Sequence, residues 1–298
     1  MSRTFDLPLP DGITLACRAA AVPARPGAPK VMLLHGFPEA AFVWDEVMAL
    51  LAPQADCVAP NLRGYEGSSA PAELAAYRPR HLVADVVAAI GAFTAGQGPL
   101  DLLVAHDWGG ALAWNLAAAH PALLKRLLIV NSPHPATFLR ELRHNLAQQR
   151  ASAYMNFLCR PDAAALLSER DHARLWPFFG EAAWLSTALR ERYRQAWHNG
   201  GRGLDGALNY YRASPLRPAT GPEDALHTLV LPDEAVTVNL PTTVLWGDGD
   251  VALLPALLDG LERWVPQLQV LHEPGASHWV VHEKPARVAE VIRALLAD

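Results

Sequence analysis

The stretch Leu102-Leu103-Val104-Ala105-His106-Asp107-Trp108-Gly109-Gly110 decides how the rest of the chain is read. Its apolar start suits a strand buried on both faces, and its glycines open a helical run, Gly110 to Ala119. Between them lies a tight turn. Ala105 and Gly109 stand two positions either side of Asp107, and both are small. A nucleophile elbow needs that spacing, because its turn is so sharp that larger residues collide with neighbouring backbone. Elbows of this kind usually centre on serine; here the position holds aspartate. A serine alkoxide attacks acyl carbons, whereas a carboxylate can displace a leaving group from an sp3 carbon and form an alkyl ester. The competing reading of Asp107 is a simple helix N-cap.

Working outward, short apolar runs alternate with helical patterns, the signature of a mainly parallel α/β sheet. Ile13 to Cys17 follows the turn signal Pro10-Asp11-Gly12, so the first two strands should form a hairpin. Val31 to Leu34, Cys57 to Ala59, Leu100 to Ala105, Leu127 to Val130 and Thr243 to Trp246 read as strands, with Gln269 to Leu271 a last edge strand. Helical stretches are expected at Val43 to Leu51, His81 to Phe93, Gly110 to Ala119, Leu253 to Val265 and Ala286 to Leu296. From about Pro135 to Pro241 the pattern is helical, arginine-rich and aromatic, with no clean strand alternation until Val236-Thr237-Val238. The expected organisation is a core built from residues 1–135 and 236–298, interrupted by a helical cap over 136–235.

Two later loops complete a catalytic set. Val244-Leu245-Trp246-Gly247-Asp248-Gly249-Asp250 places acids just past a strand, and Gly275-Ala276-Ser277-His278-Trp279 places a histidine after the next one. Asp250 is preferred over Asp248 because apolar Val251-Ala252-Leu253 follows it directly. The chain order Asp107, Asp250, His278 is nucleophile, acid, base. His278 would take a proton from water, while Asp250 fixes its tautomer and stabilises the imidazolium.

These residues, with His35-Gly36-Phe37-Pro38 and Arg63-Gly64-Tyr65-Glu66-Gly67-Ser68-Ser69, make the chain resemble an α/β-hydrolase of the epoxide hydrolase type over nearly its whole length. The resemblance implies an α/β-hydrolase core, a mostly parallel eight-stranded sheet flanked by helices, carrying an inserted helical cap. It implies an oxyanion hole made by the backbone N–H groups of Phe37 and Trp108. In the cap, Asn209-Tyr210-Tyr211-Arg212 resembles the Asn-aromatic-Tyr-Arg motif of epoxide hydrolases, which maps their tyrosine onto Tyr211. Tyr154-Met155-Asn156-Phe157, running on to Arg160-Pro161, resembles the segment with their other cap tyrosine, which maps onto Tyr154. Two phenols suit an epoxide, whose leaving group is a basic alkoxide that needs an acid as the C–O bond breaks.

Haloalkane and haloacetate dehalogenases share much of this pattern and form the alternative. Many haloalkane dehalogenases carry asparagine where this chain has Phe37, and the fluoroacetate-cleaving type carries arginine where it has Trp108. Both departures favour the epoxide. A ligand-binding protein that kept the fold without turnover is a third reading, opposed by the intact nucleophile, acid and base.

Composition removes other classes. Lys+Arg 25 against Asp+Glu 30 gives a net charge of −5 with no basic stripe, so nucleic acid is not an expected partner. No apolar run approaches the roughly 20 residues of a membrane span. Met1 to Pro10 lacks a basic segment followed by an apolar one, so no signal peptide is expected. Three scattered cysteines, Cys17, Cys57 and Cys159, suggest free thiols in a reducing compartment, and the expected location is the cytoplasm. Among 12 histidines no pair has a metal-site context, so neither a metal nor a cofactor is expected. His35 is expected to brace the oxyanion loop, and His272 and His282 to lie at the surface or against the cap. The expected partner is a small apolar epoxide; the oligomeric state, monomer or homodimer, stays open.

Overall fold

The computed structural model describes residues 2–297. β1 (Ser2–Pro8) and β2 (Thr14–Ala20) form the expected antiparallel hairpin, with Ser2 opposite Ala20 and Pro8 opposite Thr14. Its turn closes through the Leu9 N–H to the Ile13 carbonyl at 2.7 Å, with Gly12 at φ +80°. Then follow β3 (Lys30–Leu34), α1 (Asp45–Leu51), β4 (Asp56–Pro60), α2 (Pro79–Thr94), β5 (Leu102–His106), α3 (Asp107–Ala119) and β6 (Leu127–Val130). Every residue of β5 and β6 is buried, as are four of the five in β3. That is why these strands read as continuous apolar runs rather than alternating ones.

Between β6 and the next strand the described chain is helical: α4 (Pro135–His144), α5 (Leu146–Ala151), α6 (Tyr154–Leu158), α7 (Ala163–His172), α8 (Thr187–His198), α9 (Asp205–Ala213) and α10 (Asp233–Val236). The sheet resumes with β7 (Thr242–Gly247) and β8 (Leu268–Glu273), and the chain closes with α11 (Val280–Glu283) and α12 (Pro285–Ala297). The strand order is β1-β2-β4-β3-β5-β6-β7-β8, giving an eight-stranded sheet in which β3 to β8 run parallel and β2 pairs antiparallel with β4. The order reverses at β3, between β4 and β5. The carboxyl ends of β3 and β5 therefore flank a crevice of the kind where open α/β sheets place their ligands. Among the described residues no helix is long and apolar enough to cross a membrane.

Two expected elements are corrected. Leu253 to Val265 is not one helix but two 3-10 turns, Pro255–Leu258 and Leu261–Arg263. Gly260 at φ +71° separates them, and Pro255 cannot donate within a helix. Val236-Thr237-Val238 is not a strand. Val236 ends α10, and the Val238 N–H bonds the Trp264 carbonyl at 2.8 Å, away from any strand edge.

Candidate active site

The elbow takes the expected form. His106 is still extended (φ −116°), and Asp107 then adopts φ +48° as the first residue of α3. A left-handed aspartate stores strain of order 1–3 kcal/mol and persists only where its surroundings fix it. Here Ser132 Oγ–H donates to the Asp107 carbonyl at 2.7 Å and the Phe37 N–H donates to Asp107 Oδ1 at 2.7 Å. A Cβ on Gly109 would lie 2.7 Å from the carbonyl oxygen of His35, and one on Gly36 would lie 2.6 Å from Asp107 Cγ. Both glycines are thus required by close approach. Trp108 follows in the first turn of α3, where a backbone N–H has no partner within the helix. Phe37 thus presents its backbone N–H to the Asp107 carboxylate, while that of Trp108 is not spent within the helix.

The loops that carry Asp250 and His278 meet this turn. His278 Nδ1–H donates to Asp250 Oδ2 at 2.7 Å, and His278 Nε2 lies 3.8 Å from Asp107 Oδ2. The donor assignment at Nδ1 follows because a carboxylate can only accept. The Asp250 side chain is 0% exposed. It accepts from Asn131 Nδ2 on Oδ2 and from the Ala252 and Leu253 N–H groups on Oδ1, each at 2.9 Å. Burial pushes Asp250 up, but the His278 charge and these donors outweigh it and hold its pKa below the ordinary carboxylate value. Burial likewise pushes His278 down, while Asp250 first, then Asp107 and Glu39, raise it from 6.5 to about 9. Asp248, the competing acid, pairs instead with exposed His272 at 2.7 Å.

Two tyrosines from the helical excursion also reach the site. Tyr154 (α6) and Tyr211 (α9) have ring centroids 6.3 Å apart, and Tyr211 packs edge-on against Trp108 at 5.0 Å and Phe37 at 5.3 Å. Burial raises both phenols well above the ordinary tyrosine range, so they stay protonated donors. Asp107, Tyr154 and Tyr211 line two cavities at once. One, about 190 Å³, has apolar walls that include Leu112, Phe138, Met155, Leu229 and Leu231. The other, about 530 Å³, runs past Phe178, Ser277, His278 and Trp279.

His35 braces its loop as expected: its Nε2 accepts the Leu62 N–H at 3.1 Å, which leaves Nδ1–H to donate to the Gly36 carbonyl at 3.0 Å. Burial, only partly opposed by that carbonyl, lowers it to about 4 and keeps it neutral. Sequence reasoning reads Asn131, just past the Leu127 to Val130 strand, only as an amide unable to replace Asp250 as an ionised acid, and misses that it orients Asp250 while bonding the Gly247 N–H and carbonyl at 2.8 and 3.3 Å. It also missed Glu39, whose signal was an acid standing alone in the apolar run Phe37 to Trp44. No group of three metal-ligating side chains occurs among the described residues.

The sequence matches the profile of the alpha/beta hydrolase fold family over residues 29–285. The chain belongs to this family. Among relatives of this α/β-hydrolase is the AB hydrolase superfamily protein YfhM of Bacillus subtilis (strain 168), 33% identical over 293 residues that cover 97% of this chain and 96% of that one. Another is an epoxide hydrolase of Caballeronia sordidicola, 29% identical, covering 88% of this chain and 85% of that one. Among solved structures, a Bacillus megaterium epoxide hydrolase in complex with an inhibitor superposes with TM-score 0.87 at 29% identity, over 99% of this chain and 100% of that one. With these relatives and this site, the α/β-hydrolase is an enzyme, a hydrolase.

Proposed function

We propose that this hydrolase opens an apolar epoxide to a vicinal diol in two steps, through a covalent ester on Asp107. The observation that carries the reading is the convergence of Asp107, Tyr154 and Tyr211 on the same cavities, a carboxylate facing two protonated phenols. An Asp107 oxygen attacks an epoxide carbon, the C–O bond breaks, and the phenols hydrogen-bond and protonate the departing oxygen. In the second step His278 Nε2 takes a proton from water, whose oxygen attacks Asp107 Cγ. The N–H groups of Phe37 and Trp108 hold the resulting oxyanion, and its collapse expels the diol oxygen, which takes the proton from His278. The helical residues 136–235 act as a cap over the site, and the apolar walls of the smaller cavity suit an apolar substituent.

The charge balance supports an ordered sequence. With a pKa of about 9, resting His278 carries a proton at neutral pH and is no base. Alkylation turns Asp107 into a neutral ester and deletes one of the charges that raise His278. The imidazole then becomes easier to deprotonate, and the proton it gives up replaces the one the phenols passed to the ring-opened oxygen. The base is thus generated by the first step.

The test is a single turnover with excess enzyme in 18O-labelled water, using an aryl epoxide and a haloalkane panel. Diol carrying no label, with solvent oxygen appearing in the Asp107 carboxylate, is the expected result. Label entering the diol directly in the first turnover would refute the nucleophile assignment. Halide release without diol would instead point to dehalogenation by the same carboxylate.

A further inference from the structure

One buried carboxylate takes no part in these steps. Glu39 directly follows Pro38, and its side chain is 1% exposed. His106 Nδ1 lies 3.0 Å from Oε2; the Tyr193 hydroxyl and His282 Nε2 each lie 3.1 Å from Oε1 and 2.7 Å from one another. Burial pushes Glu39 up, but the hydrogen bonds and charges of His106 and His282 outweigh it and hold its pKa far below the carboxylate range. A carboxylate this buried is tolerable only while its donors stay in place.

Those donors come from three parts of the chain. His106 is the last residue of β5, directly before the nucleophile; His282 lies in α11, four residues after the base; Tyr193 is carried by α8 of the helical excursion. The second nitrogen of His106, Nε2, donates to the backbone carbonyl of His278 at 2.9 Å. His282 in turn stacks flat on Trp184 of the excursion, with centroids 4.4 Å apart and planes at 7°. A continuous path of contacts therefore joins the seating of the excursion to the backbone of His278.

We propose that Tyr193 and His282 are positioning residues for the hydrolytic half-reaction: by completing the donor set of Glu39 they seat the cap helix α8 on the core and, through His106, hold His278 in place. This rests on the covalent-ester reading above. The two half-reactions should respond unequally. Asp107 is held in addition by the Ser132 hydroxyl and the Phe37 N–H, neither of which is hydrogen-bonded to the Glu39 side chain. His278 depends on a carbonyl held by Glu39's partner.

The test is rapid-quench kinetics on the whole enzyme, with ester followed by intact mass, for Tyr193→Phe, His282→Ala and His282→Gln. Tyr193→Phe keeps the ring packed on Phe42 and Phe179, so it removes only the hydroxyl. Ester formation should stay within about twofold of wild type, while ester hydrolysis slows about tenfold or more in Tyr193→Phe and His282→Ala, the scale of a hydrogen bond to a charged group. His282→Gln, which restores a donor, should recover part of the loss. Hydrolysis at the wild-type rate in Tyr193→Phe, or equal slowing of both half-reactions, would overturn the positioning role alone. A wild-type enzyme that forms no ester would overturn the covalent reading itself, and this inference with it.

Discussion

Replacing Asp250 by asparagine keeps the side-chain shape and makes a sharp test of the hydrolytic step. All four polar neighbours of this carboxylate are donors: the Ala252 and Leu253 N–H groups on Oδ1, and Asn131 Nδ2 and His278 Nδ1 on Oδ2. An amide cannot serve that set. Whichever way it is turned, its NH2 faces hydrogens: two backbone donors in one orientation, or Asn131 with His278 in the other. In the second orientation relief comes if His278 gives up its Nδ1 proton and accepts there, which moves the hydrogen to Nε2 and removes the lone pair that should take a proton from water. The charge effect can be sized. The rise of His278 from 6.5 to about 9, in which Asp250 is the largest raising cause, corresponds to roughly 3 kcal/mol of imidazolium stabilisation or about two to three powers of ten in rate. The wrong tautomer adds to this, so hydrolysis of the ester should fall by about 10³ to 10⁴, the scale seen when a triad acid is neutralised. Attack by Asp107 should change only a few-fold. The assay is intact-mass spectrometry of Asp250→Asn mixed with an aryl epoxide, which should reveal a long-lived adduct of enzyme plus substrate mass. Loss of turnover without an adduct, or hydrolysis near the wild-type rate, would refute the assignment of Asp250 and His278 to the second step.

Three further outcomes are expected. Tyr211→Phe should slow ester formation by about 10² or more and Tyr154→Phe by a similar or smaller factor, with ester hydrolysis little changed; rapid-quench measurement of the first step checks this. Because the folded pKa of His278 is raised, its contribution to stability is fully present below about 6.5 and is lost as pH rises through about 9. The Tm should therefore fall between pH 7 and 10, and Asp107→Asn, which removes one raising charge, should shift that fall to lower pH. Gly36→Ala should nearly abolish turnover, since its Cβ would sit 2.6 Å from Asp107 Cγ, and a folded variant with normal ester formation would count against the tight elbow.

The core was legible because strands buried on both faces announce themselves as short apolar runs, and because Asp107, Asp250 and His278 each sit in a loop just past such a run. The choice between Asp248 and Asp250 could be read from the apolar residues that follow, since the inward turn buries Asp250 while Asp248 stays near exposed His272. The false helix at Leu253 to Val265 shows the limit: its apolar spacing is real, but Gly260 and Pro255 break the backbone twice. The orienting part played by Asn131 and the buried cluster around Glu39 were not legible, for a different reason. Their roles exist only through partners more than sixty positions away in the chain, at Asp250 and His106, and no local pattern encodes such a meeting.

That distance between partners has a consequence for how the enzyme comes into being. The hydrogen bond from His106 to His278 joins residues 172 positions apart, and the one from Trp197 to Pro38 spans 159. Contacts so remote carry a loop-closure cost that contacts within a helix do not. The site around Asp107, Asp250 and His278 should therefore be completed late in refolding. Regain of turnover should lag behind regain of helix signal, which makes activity a stringent report that the whole chain, and not only its sheet, has reached the native state.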